Sequence, residues 1–266
     1  MDLPVSTWLA AAAVRRSRRS FAREPLDEGR LSGLERVCRE FRPFPEARVE
    51  LVHEPVEKVA TGVVGAYGRV NGAPCYLALI GRMESGRVQE CVGYTGEGLI
   101  LEATALGLGT CWVGGFFKPG AVGRAVRLAV DERVIAISPV GIIRSRPSLT
   151  DITFKAISGA AGRRGLGQLI EGGRMPEGRL RTALEAARRA PSARNRQPWR
   201  FRVEGEVVTV LTSGAEQKNK LSPRLDCGIA MLHFELAARA AGLAGTWEFL
   251  DAPAVARYMP AAISSF

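Results

Sequence analysis

The chain has 266 residues, enough to bury a substantial core as one large domain or two ordinary ones. Its 46% hydrophobic and 24% charged residues match a soluble globular protein, and no apolar stretch approaches the roughly 18 residues of a membrane span. The net charge of +10 would suit a nucleic-acid partner, but the arginines are dispersed and lack the interleaved aromatics of single-strand binders, so that class is set aside.

Taken in chain order, the apolar run WLAAAAV (8–14) leads into VRRSRRSF (14–21), four arginines and two serines in eight residues. Such a run could be an export address, a nucleic-acid patch or a cradle for an anion. A twin-arginine signal carries its apolar run after the arginines, whereas here it precedes them and the charged AREPLDEGRL follows. The address is excluded, and the expected compartment is the cytoplasm. EGRL (28–31) opens a helical pattern, and RVELV (48–52) and PCYLALI (74–80) read as strands. A long helical segment ends at GLGTCW (107–112), and RVIAISPVGI (133–142) is a further strand. SGAAGRRGLGQ (158–168) is the natural connector.

EGRL then recurs at 177–180, with Leu180, Ala183, Leu184 and Ala187 on one helical face. APSARNRQPW (190–199) follows that helix; by spacing alone it is a helix stop with a Pro-Trp packing anchor. WRFRV (199–203) and EVVTVL (206–211) flank a hairpin turn at Glu204-Gly205. Leu225, Ile229, Leu232 and Leu236 form the buried stripe of a second long helix, which ends at GLAGTW (242–247). Each GL pair has a glycine fourteen residues before it, Gly93 and Gly228. This internal repeat predicts an α+β layered fold in two halves, 1–157 and 158–266.

The residues offer little side-chain chemistry. Five cysteines are scattered without a CxxC pair, which argues for reduced thiols, and Cys111 reads as packing. The two histidines, His53 and His233, lack metal-ligand spacing, so no metal site is assigned; His233 reads as a hydrogen-bonded structural residue. No catalytic side chain is assigned either, and an organic cofactor is expected to carry the reaction.

Three separated motifs supply the identity of that cofactor. APSARNRQPWRF resembles the PSxxNxQPW loop of the flavin-dependent nitroreductase superfamily, and RRSRRSF is similar to its N-terminal RRSxRxF. GLGTCWVGGF, followed by RVIAISPVGI, resembles the family's third segment and closing strand. The resemblance implies an FMN-binding α+β fold and NAD(P)H as donor, with a small nitroaromatic- or quinone-like molecule as acceptor. It implies that Arg15, Arg16, Ser17 and Arg19, at an exposed helix start, grip the FMN phosphate. Guanidinium forks suit that dianion. Arg18 is left as solvated surface, and Arg144 and Arg146 are further phosphate candidates. Val113, Gly114 and Gly115 are implied against the flavin near its redox nitrogens, with Trp112 closer to core than to wall. Pro191, Ser192, Ala193 and Asn195 are implied along the ring and ribityl, with Gln197 and Trp199 holding that loop in shape.

The order of the motifs departs from the family. The RRS segment and the PSxxN loop, ordinarily one helix apart, are here separated by most of the chain. Where the first half should carry PSxxN it reads CREFRPFPEARVELV, and where the second should carry RRS it reads LIEGGRMPEGRL. Ordinary members are homodimers whose FMN takes one motif from each subunit. The expectation is therefore an intrachain pseudo-dimer, mainly monomeric, with one composite site and a degenerate second one. The rival readings are a flavin-binding protein without turnover and a basic nucleic-acid module.

Overall fold

The apolar patterns build two halves with one strand order. A computed structural model describes residues 1–61, 70–144, 162–172, 175–213 and 222–261. In the first half, helices α1 (Val5–Val14) and α2 (Glu28–Glu40) lead to strands β1 (Ala47–Val52) and β2 (Cys75–Arg82). The long helix α3 (Val88–Ala105), β3 (Leu108–Thr110), α4 (Pro119–Ala125) and β4 (Glu132–Ile142) complete it. In the second half, α5 (Gly178–Arg188) precedes β5 (Trp199–Glu204) and β6 (Val207–Thr212). The long helix α6 (Pro223–Ala240), β7 (Gly245–Phe249) and β8 (Ala254–Pro260) follow. Both sheets are antiparallel, ordered β1-β2-β4-β3 and β5-β6-β8-β7. Each takes two strands before its long helix and two after, with the last strand inserted beside the second. The predicted α+β class holds.

Local chemistry sets the element ends. Asp27 caps α2 by accepting from the Arg30 N–H at 3.0 Å, and Ser222 caps α6 by accepting from the Arg224 N–H at 3.2 Å. Pro223 then occupies the first turn of α6, where a missing N–H costs nothing. Fourteen of the 18 residues of α3 are buried, as expected of a helix apolar on nearly every side. Strand β2 is buried at every residue but Arg82, with α3 on one face. The other face packs into a satellite cluster containing Val56, Tyr76, Ile80, Val122 and Ile137.

Helices α3 and α6 cross at glycines. A Cβ on Gly93 would collide with the Leu225 carbonyl, and one on Gly228 with the Glu90 carbonyl. Only glycine admits that approach of two backbones. Buried polar ties cross the same seam: Tyr94 Oη donates to Glu235 Oε2 at 2.7 Å, and Arg224 Nε donates to the Glu90 carboxylate at 3.0 Å. One hydrophobic core runs through both halves, and α1 packs on α3 and α6 alike.

Two local expectations are corrected. The hairpin turn falls on Gly205-Glu206, because β5 pairs through Glu204 and Gly205 takes the left-handed φ of +63°. The arginine segment is not an exposed helix start. It follows the end of α1 as extended chain: the Arg18 N–H donates to the Thr110 carbonyl at 2.7 Å, and the Arg19 carbonyl accepts from Asn71 N–H at 2.9 Å. Pairing with β3 and with Asn71 gives those backbone groups partners that a helix start would leave open.

Candidate functional site

Arg15 turns inward at the end of α1 and is 9% exposed. Its Nε lies 3.7 Å from Glu97 Oε1, while its buried Nη1 has no hydrogen-bond partner among the described residues. Glu97, on α3, is fully buried and gathers two further groups: Trp112 Nε1 donates to Oε2 at 2.7 Å, and His233 Nε2 stands 2.9 Å from Oε1. One carboxylate thus connects the arginine segment, the GLGTCW segment and α6 of the other half. His233 is the hydrogen-bonded structural residue expected, and Trp112 is half-buried.

The other arginines differ in setting. Arg16 is exposed, its Nη1 donating to the Arg15 carbonyl at 2.7 Å. Ser17 pairs beside Thr110, and Arg19 is half-buried. Arg18, expected as solvated surface, is half-buried with its Cβ against Gly109, because the extended backbone turns it onto β3. Arg144 is exposed, and Arg146 lies outside the described residues.

Val113 is held by reciprocal 2.9 Å backbone bonds with Ile137, which fixes the start of the Val113-Gly114-Gly115 run. Gly114 is half-buried and Gly115 exposed, and a Cβ added to Gly115 would meet nothing within 4 Å. Protein packing therefore does not demand glycine at 115. A ligand lying against the backbone would.

The 190–197 loop is strained and tightly held. Arg194, Asn195 and Gln197 all take φ between +52° and +54°, which costs non-glycine residues on the order of 1 kcal/mol each. Gln197 compensates with four bonds. Its backbone N–H donates to Ser192 Oγ at 2.9 Å, and its Nε2 donates to the carbonyls of Gly162 and Asn195 at 3.1 Å each. Its Oε1 accepts from Arg164 N–H at 2.8 Å. Asn195 Nδ2 also donates to the Gly162 carbonyl, at 3.0 Å. Pro191 and Ser192 are half-buried, and exposed Ala193 donates its N–H to Asp226 at 3.0 Å. Gln197 holds the loop as expected, and Trp199 is fully buried at the start of β5.

Arg163 joins the two motifs. Its Nη1 donates to the Ala190 carbonyl at 2.6 Å, while Arg15 and Arg16 lie close enough for their charges to act on it. Arg163 thus bonds the residue before Pro191 and feels the charge of Arg15 and Arg16, although Ser17 and Pro191 are 174 residues apart in sequence.

Sequence reasoning missed Glu97, Arg163 and Asp226. A signal for the first existed: three glutamates, Glu90, Glu97 and Glu102, sit in the otherwise apolar helix α3, and buried carboxylates require partners.

Asp226 gives a pH test. Burial pushes its carboxyl up to about 7, against the lowering effects of the Ala193 N–H and the Arg196 charge. Between about pH 4 and 7 the folded chain thus holds a proton that the unfolded chain has released, so this residue's contribution to stability falls as pH rises. Asp226→Asn keeps an acceptor for Ala193 and removes the penalty. Its gain over wild type should be small at pH 4 and reach on the order of 4 kcal/mol at pH 8. Urea midpoints at both pH values check this; equal differences at the two would refute it.

The internal repeat puts an aromatic ring at one counterpart position in the other half. The 135-residue offset that carries Gly107 onto Gly242 carries Trp112 onto Trp247 and Gly114 onto Phe249. Phe249 packs edge-on against Phe44 at 5.1 Å, and Phe44 against Tyr94 at 5.1 Å. The Arg87 guanidinium lies 5.1 Å from the Phe249 ring centre. Phe44 belongs to the connection before β1, where the second half has its 190–197 loop.

Residues 8–238 match the family described as "Putative TM nitroreductase". The chain belongs to this nitroreductase family. The matched span contains the arginine segment, Glu97, the Val113–Gly115 run and the APSARNRQPW loop, so the nitroreductase match covers both halves. Among solved structures, a "putative nitroreductase" from Thermotoga maritima is 20% identical. It covers 95% of this chain and 93% of its own, with a TM-score of 0.61, a likeness of fold. A nitroreductase with bound FMN from Bacteroides fragilis is 16% identical and covers 53% of this chain and 91% of its own, with a TM-score of 0.44. A comparison with curated proteins returned no match. Among the described residues of this nitroreductase-family chain, no helix is long and apolar enough to cross a membrane.

Proposed function

We propose that this nitroreductase-family chain is an FMN-dependent oxidoreductase with a single composite site between two fused halves. NAD(P)H is the electron donor, and a small nitroaromatic- or quinone-like molecule is the acceptor. The observation that carries the reading is Arg163, which bonds the Ala190 carbonyl at the base of the APSARNRQPW loop and lies within reach of the charges of Arg15 and Arg16, while Arg15 Nη1 is buried with no hydrogen-bond partner among the described residues.

The residues suit the cofactor. Bound FMN would supply the electron transfer itself, which explains why no side-chain nucleophile or metal need be assigned. Arg15, Arg16, Ser17 and Arg19 would receive the phosphate, with Glu97 beside Arg15 at 3.7 Å. Val113, Gly114 and Gly115 would bring backbone against the ring, where Gly115 leaves open space. Pro191, Ser192, Ala193 and Asn195 would close the site from the second half. The Phe44–Phe249 cluster supports a single site, because rings occupy the counterpart position. A cytoplasmic setting suits the five cysteines, all free and buried.

The test is size-exclusion chromatography with light scattering and absorbance, followed by anaerobic addition of NADH or NADPH. The expected result is a yellow monomer near 28.6 kDa with one FMN per chain, bleached by one of the two donors. A colourless protein that takes up no FMN would remove the cofactor. Two tight flavins per chain, or an obligate dimer, would remove the single composite site. A flavin that neither donor reduces would leave a binding protein without turnover.

A further inference from the structure

We propose that Arg163, in the segment joining the two halves, is a direct ligand of the anionic group that Arg15 and Arg16 receive. The inference rests on the flavin reading above and extends it to a residue outside the family's arginine motif. Arg163 is the point where the halves touch the cradle: Nη1 is fixed on the Ala190 carbonyl at 2.6 Å, at the base of the 190–197 loop. Its chain neighbours hold the same loop, Gly162 through its carbonyl and Arg164 through its N–H. A guanidinium carries five N–H donors, and one pinned edge orients the remainder of the fork.

Charge indicates what the fork faces. Arg15, Arg16, Arg163 and Arg188 form one neighbourhood, which also contains Glu97. Arg188 is paired with Glu185 at 2.6 Å, and Glu97 lies 3.7 Å from Arg15. Arg188 has Glu185 and Arg15 has Glu97, whereas Arg16 and Arg163 bring further positive charge to this neighbourhood, which suits a phosphate monoester of about −1.5 to −2 at neutral pH. Burial, and then the charges of Arg15, Arg188 and Arg16, pull the Arg163 pKa down to about 10, so the like charges repel while Arg163 stays protonated at neutral pH. A dianion among them relieves that repulsion. The buried Nη1 of Arg15, without a hydrogen-bond partner among the described residues, is a second available donor.

Isothermal titration with FMN and with riboflavin, which lacks the phosphate, decides the matter on two variants. Arg163→Gln keeps an N–H for the Ala190 carbonyl but loses the charge, whereas Arg163→Lys keeps the charge. Arg163→Gln should weaken FMN about tenfold or more while leaving riboflavin unchanged, and Arg163→Lys should restore most of the FMN affinity. FMN affinity equal to wild type in Arg163→Gln would overturn the proposal. So would equal losses for FMN and riboflavin, which mean that Arg163 only supports the loop. If wild type binds neither flavin, the flavin reading falls, and inorganic pyrophosphate becomes the probe. A thermal shift in wild type that is lost in Arg163→Gln then upholds the anion site; no shift in wild type overturns it.

Discussion

Gly228→Val is expected to unfold the chain or leave it barely folded. The Cβ alone would collide with the Glu90 carbonyl, and the added methyls have no room at a backbone-to-backbone crossing. Overpacking that side chains can absorb costs about 1–3 kcal/mol, and here the obstacle is a main-chain atom of α3, so the cost exceeds that range. Against a total stability of roughly 5–15 kcal/mol, one such substitution removes a large share. Gly93→Val should act alike, through the Leu225 carbonyl. Because a single core spans both halves, neither half should persist alone, and fluorescence and circular dichroism should lose signal together. Gly86→Ala is the control: nothing lies within 4 Å of the added Cβ, and the midpoint should move by less than about 0.5 kcal/mol equivalent. A Gly228→Val variant with the wild-type urea midpoint would mean that the helices do not cross at these residues.

The second large effect is expected at the cradle. Replacing Arg15 and Arg16 together by alanine should weaken FMN by a hundredfold or more, since charge-assisted bonds contribute about 1.5–3 kcal/mol each. The two residues are not equivalent. Arg16 is exposed, so Arg16→Ala should keep the wild-type melting temperature and report on binding alone. Arg15 is buried beside Glu97, so Arg15→Ala also leaves a buried carboxylate short of its counter-charge and should lower stability. Riboflavin separates the causes: it should bind Arg16→Ala as it binds wild type, and the FMN difference should shrink in salt. Asn195→Ala should weaken both flavins, because it removes the bond to the Gly162 carbonyl that holds the loop. If Asn195→Ala bound both flavins normally while the arginine variants failed, the 190–197 loop would contribute nothing through Asn195, and that side of the composite site would be wrong.

Much of the fold was legible because it is local. RVELV, PCYLALI and RVIAISPVGI are dense in β-formers and became β1, β2 and β4, whereas the glycines fourteen residues before GL were legible as a repeat but not as the helix crossing they form. Strand β3 was not readable: Leu108–Thr110 is three residues with a central glycine, and it exists because β4 and the arginine segment pair with it. Strands β7 (GTWEF) and β8 (AVARYMP) are short, with one charged residue each and no clean period-2 alternation, too weak a pattern to separate from loop. At the site, the sequence placed the motifs but not their partners. The burial of Arg15 depends on Glu97, which is 82 residues away, and the importance of Arg163 depends on Ala190 and Arg15 in different halves. Such pairings exist only after the chain has closed on itself.

The pair Gly114 and Phe249 has a consequence for heredity. In an assembly of identical chains, any codon change at one pocket is repeated at its twin, so filling one means filling both. Here the two positions are written separately along one polypeptide. A ring could enter at Phe249 and lock against Phe44 while Gly114 kept its small size. Linkage in one chain frees the two positions to diverge, so one can specialise in holding the halves together while the other stays open to ligands.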